Sequence, residues 1–201
     1  MGTAGHGLPV VRLRHHGIQM FEGYAGASDS GFRAEVEAEQ ALARAEHLLA
    51  MIDRHEHTQL RGPAAAEAQQ RLTELGNQAR FAGVTITDPR RLQRLMNRDD
   101  PAVYPGEYAT CIHDHTKALC RARAGLNGQA ATTPDLDNCK PLACRNVALT
   151  ADNLAAWRDE LKTIEADLAA RPLLPPLLQA QLEQRRDDVR AYLDRYDKEH
   201  P

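Results

Sequence analysis

The chain has 201 residues, enough for one domain or two small ones, with 42% hydrophobic residues but only 4% aromatic. Its net charge of -3 gives no overall pull towards nucleic acid, so any contact with DNA has to come from a local basic patch. No run of about 18 apolar residues is present, and the first residues lack an apolar signal core, so the sequence reads as cytoplasmic with no membrane partner.

Residues 1–13 are glycine-rich and without periodicity, and residues 15–24 read as a short helix or turn. Gly23, Gly26 and Gly31 then break the chain, and Asp29 or Ser30 suits the N-cap of a long helix over 31–55. Its apolar positions Phe32, Val36, Leu42, Ala45, Leu49 and Ile52 recur near helical spacing. Gly62-Pro63 ends that helix and opens another to about 79, marked by Leu72 and Leu75. A short strand is expected at 84–87, followed by a helix start at Asp88-Pro89. Arg90, Arg91, Arg94 and Arg98 then form a basic stripe, read either as a phosphate grip or as a solvated face. His55 and His57 are expected to face solvent after the first long helix or to interact with its C-terminal end, a metal role being the lesser reading.

Pro101 and Pro105 mark a boundary, and a cysteine-rich segment follows with loop signals at Gly125, Asn127-Gly128 and Thr133-Pro134. After Thr150 or Asp152 as cap, Leu154, Trp157, Leu161, Ile164 and Leu168 step by three and four. Prolines at 172, 175 and 176 interrupt, and Leu178, Leu182, Val189, Tyr192 and Tyr196 form a second stripe. Two such stripes with a short break predict an antiparallel helical hairpin with Trp157 in its core. The expected fold is mainly α: helical segments around a small cysteine-rich zinc knot, closed by the hairpin. The expected divisions are 1–26, 27–100, 101–149 and 150–201.

The only cysteines are Cys111, Cys120, Cys139 and Cys144, spaced C-x8-C-x18-C-x4-C. In a reducing compartment, four thiolates gathered by two loops point to a structural Zn2+. His113 and His115 lie between the first pair and offer an alternative fourth ligand. The same four residues also suit small buried positions with no metal. No His-Glu arrangement of a catalytic zinc site is present.

The stretch Leu13-Arg14-His15-His16-Gly17-Ile18-Gln19-Met20-Phe21-Glu22-Gly23-Tyr24 resembles the end of the catalytic domain of tyrosine recombinases, the phage-type integrases. The resemblance extends to an actinobacterial subgroup through Ser30-Gly31-Phe32-Arg33-Ala34-Glu35 and through Lys117-Ala118-Leu119-Cys120 and Cys144-Arg145-Asn146, and it covers about residues 13–195. It implies that Tyr24 is the nucleophile and His15 a donor to the phosphate. It implies DNA breaking and rejoining through a 3′-phosphotyrosyl intermediate, with DNA and protomers of the same kind as partners and no small-molecule substrate. Pro9 stands where the His-x-x-Arg motif would place its arginine, and Arg14 replaces the glycine before the histidine. The chain therefore reads as a C-terminal portion of such an integrase that does not cleave DNA alone. The alternative is a stand-alone zinc-stabilised helical adaptor for DNA or protein, with Tyr24 an ordinary residue at a helix end.

Overall fold

The computed structural model describes residues 32–83, 88–120, 133–170 and 174–197. Among them the chain is mainly helical, with one small antiparallel sheet. The elements in order are α1 (Phe32–Asp53), a 3-10 turn (Glu56–Gln59), α2 (Ala65–Phe81), α3 (Pro89–Arg98), β1 (Val103–Tyr104), β2 (Thr110–Ile112), β3 (Val147–Ala148), α4 (Ala151–Ala170) and α5 (Pro176–Asp197).

Local chemistry explains where the helices start and stop. The Asp88 carboxylate accepts the Arg91 backbone N–H at 3.1 Å, and Pro89 needs no partner at the first helical position, so α3 begins there. Gly83, at φ 59°, ends the α2 segment in a left-handed conformation that costs glycine little. At α4, Thr150 Oγ1 accepts the Asn153 N–H at 3.1 Å, while Asn153 Oδ1 accepts the Thr150 N–H at 3.0 Å. This is a reciprocal cap in which asparagine takes the glutamate role.

The three helices α1 to α3 bury one apolar face each. Leu48, Met51, Leu72, Leu75, Leu92 and Leu95 form the centre of a first core, which Val103, Ile112 and Ala148 of the sheet complete. The second core joins the hairpin α4–α5 to the other side of the sheet region, through Trp157, Val189, Tyr192, Leu193 and Tyr196 against Cys144, Val147 and Leu149. Strand order is β1-β2-β3, with Tyr104 opposite Cys111 and Cys111 opposite Val147. Arg61 and Leu149 exchange both backbone bonds at 3.0 and 2.8 Å, extending the sheet edge to the turn before α2. Gly62 sits in that turn at φ 96°, where an added Cβ would lie 3.1 Å from the Val147 carbonyl oxygen.

Three expectations need correction. His57 is buried, because the 3-10 turn folds back between α1 and α2 and does not run into solvent. Leu178 is exposed, because the second core covers only the ends of α4 and α5 remote from their connection. A three-stranded sheet runs through the expected boundary and cysteine-rich stretch, where the sequence shows only turn and loop signals. The strand expected at 84–87 lies outside the described residues. No helix among the described residues is long and apolar enough to cross a membrane.

Candidate functional site

His15 and Tyr24, the two residues assigned to catalysis, lie outside the described residues. The four cysteines are all described, and all carry free thiols. Cys111 is the centre of β2, held on both sides by strand pairing. Cys144 closes a tight turn, its backbone N–H donating to the Lys140 carbonyl at 2.9 Å, with Ala143 donating to the same oxygen at 3.1 Å. That turn folds Cys139 back towards Cys144, and the Cys139 N–H donates to Leu136 at 3.2 Å. Cys120 lies three residues beyond the turn that follows β2.

The four thiols share one neighbourhood. Burial pushes the Cys111 thiol up to about 12, and negative charge on Cys139, Cys144 and Cys120 pushes in the same direction. Burial also raises Cys139, to about 11, with Cys144 and Cys120 adding to it. The groups are therefore close enough to feel one another's charge. Yet no three His, Cys, Asp or Glu side chains among the described residues are arranged to hold a metal ion. A tetrahedral zinc–thiolate site sets its sulfurs about 3.8 Å apart, from a Zn–S distance of about 2.3 Å.

The two histidines beside the cysteines differ. His115 is exposed in the turn at 114–117. His113 is buried, with its ring edge-on to Tyr104 at 6.3 Å, and its backbone N–H donates to Ala102 at 2.8 Å. It lines a cleft with Arg71, Asp99 and Asp100, whereas Cys111 lies within the strand pairing.

A polar frame around the sheet was not read from the sequence. Asn153 Nδ2 donates to the Gly106 and Glu107 carbonyls at 2.7 and 2.9 Å, and Trp157 Nε1 donates to the Tyr108 carbonyl at 2.8 Å. Asn146 Nδ2 donates to the Asp114 carbonyl at 2.8 Å, tying the two cysteine-bearing loops together. Arg71 spans from α2 to the Pro101 and His113 carbonyls at 3.1 and 3.2 Å.

The basic stripe lies on the outward face of α3. Leu92, Leu95 and Met96 are buried against α1, and Arg90, Arg91, Arg94 and Arg98 are exposed. Comparison with family models, with curated proteins and with solved structures finds no match.

Proposed function

We propose that this chain is the C-terminal part of a tyrosine-type site-specific DNA recombinase, with the described helices as an accessory module clamped by a structural Zn2+. The recombinase part of the reading is supported by the stretch from His15 to Tyr24 and the residues that continue the resemblance. In that chemistry the tyrosine oxygen forms a bond to the phosphorus of a phosphodiester, the bond to the 5′ oxygen breaks, and a free 5′-hydroxyl leaves. The phosphotyrosyl link keeps the energy needed for rejoining. Charge developing on the phosphate oxygens calls for positioned cationic donors, of which His15 supplies one.

The zinc part is supported by four buried or half-buried free thiols, the chain's only cysteines, drawn from three separate segments, with Cys111 and Cys139 each sensing the charge of the others. The donor set suits zinc: four soft ligands and no carboxylate. Zinc here would supply cross-linking of β2 to the turn at 139–144, and Cys111, Cys120, Cys139 and Cys144 would hold it. The recombination chemistry itself needs no metal.

Two measurements test the reading separately. Elemental analysis should find one zinc per chain, and a chelator should lower the melting temperature as much as Cys139→Ser does. Four freely titrating thiols and melting indifferent to chelator would remove the zinc. For the recombinase part, the chain is joined to upstream catalytic residues and offered a DNA substrate that traps the covalent adduct. Tyr24→Phe should abolish the adduct. An adduct that persists in Tyr24→Phe sinks the assignment, and undiminished recombination favours the adaptor.

A further inference from the structure

The α3 helix, Pro-Arg-Arg-Leu-Gln-Arg-Leu-Met-Asn-Arg from Pro89 to Arg98, contains four arginines and no acidic residue. The contrast with α5 is informative. There Arg185, Arg186, Arg190 and Arg195 are interspersed with Glu183, Asp187, Asp188, Asp194 and Asp197, so the helix has no excess of positive charge, and Arg186 pairs with Asp187 at 2.8 Å. On α3 the carboxylates stand only at the two ends: Asp88 pairs with Arg91 at 3.2 Å and Asp99 with Arg98 at 2.5 Å. Arg90 and Arg94 have no ion pair among the described residues, and Arg94 Nε donates only to the Arg90 carbonyl at 3.3 Å.

Position along the helix sharpens this. Arg90 and Arg91 occupy the first turn, which has no acidic residue. Cations at that end oppose the helix dipole; Asp88 offsets this for Arg91, and Arg90 has no such ion pair among the described residues. Arg90, Arg94 and Arg98 recur every fourth residue, about 6 Å of helix axis apart, so their guanidinium groups form a row. Arg91, Arg94 and Arg98 border a shallow depression with Ala82 and Leu95. Next to Ala82, Phe81 is 97% exposed, the most exposed large apolar side chain described. A planar, doubly donating guanidinium suits phosphate better than an ammonium does, and this helix uses arginine alone.

We propose that the outward face of α3 binds the phosphodiester backbone of duplex DNA, with Arg90 and Arg94 as principal contacts and Arg91 and Arg98 as outer ones. This rests on the recombinase reading only for why DNA would be met at all. The surface itself is argued from α3 and is read out without any covalent step. Contacts of this kind position a protein on DNA without reading its sequence.

The test is binding of the whole chain to a labelled random-sequence duplex, followed by fluorescence anisotropy from about 50 to 200 mM salt. Four phosphate contacts predict a slope of log affinity against log salt of about -3.6. The double variant R90Q/R94Q should make the slope shallower by about 2, while R90K/R94K, which keeps both charges, should retain it. The same helical circular dichroism in all three proteins separates lost binding from lost folding. No salt-dependent binding, an unchanged slope in R90Q/R94Q, or equal binding to polyglutamate with the same sensitivity would each overturn the proposal. Loss of covalent capture with this binding intact would strike the Tyr24 assignment and leave α3 standing.

Discussion

Trp157 is the only tryptophan and is 1% exposed, surrounded by Tyr108 at 4.7 Å, Tyr192 at 5.8 Å and the Arg185 guanidinium at 5.2 Å. Its indole N–H bonds to the Tyr108 carbonyl, so Trp157→Phe loses ring volume and a buried hydrogen bond together. The expected cost is about 2 to 3 kcal/mol, measured by denaturant unfolding. Asp114 offers a pH test. The Thr116 hydroxyl and backbone N–H, then Lys117, hold its carboxyl well below the ordinary range. A depressed carboxyl stabilises the fold while ionised. That contribution is complete above the ordinary carboxylate value near pH 4 and is lost as pH falls through the lower folded value. Thr116→Val should return the Asp114 titration midpoint towards the ordinary value, read by carbon NMR, and an unmoved midpoint refutes the cause. Residue-scale reading of the sequence was good for Trp157, whose bulk leaves few places but a core. It failed for His57, because a helical turn that folds back leaves no periodic trace over four residues.

At the scale of elements, the helices were legible and the strands were not. Asp88-Pro89 and Thr150 announce their helices by capping chemistry that acts over three or four residues. Strands β1, β2 and β3 are two, three and two residues long, too short for an alternating pattern to appear. The clustering of the thiols was legible as sequence proximity, but the pairing that centres Cys111 between Tyr104 and Val147 is a long-range fact. Asn153 joins these two levels, since it caps α4 and also holds the Gly106 and Glu107 carbonyls. Asn153→Ala should cost about 2 kcal/mol, more than a simple cap, because it leaves backbone groups without their partner. A loss near that of an ordinary exposed cap, below about 1 kcal/mol, would show that the loop at 106–107 finds other partners.

Across the whole molecule, the sheet is where the two cores meet. Ala148 belongs to the first and Val147 to the second, although they are neighbours in a two-residue strand. Unfolding followed by Trp157 fluorescence, which reports the second core, should therefore coincide with unfolding followed by helical circular dichroism, which reports both. Two separated transitions would show that the cores are independent. Gly62→Ala probes the same seam from the other side, since its backbone is left-handed and its new Cβ would press on the Val147 carbonyl. It should lower both signals together by about 1 to 2 kcal/mol.

The alternation at β3 has a further consequence for how this chain tolerates change. Successive strand residues point to opposite faces, so a single inserted or deleted residue between Asn146 and Thr150 would exchange the two side chains. Valine would then enter a site shaped for alanine, and alanine would leave a hole beside Trp157 and Tyr192. Substitutions in this stretch are matters of degree, whereas a change in its length exchanges which of the two cores each side chain enters.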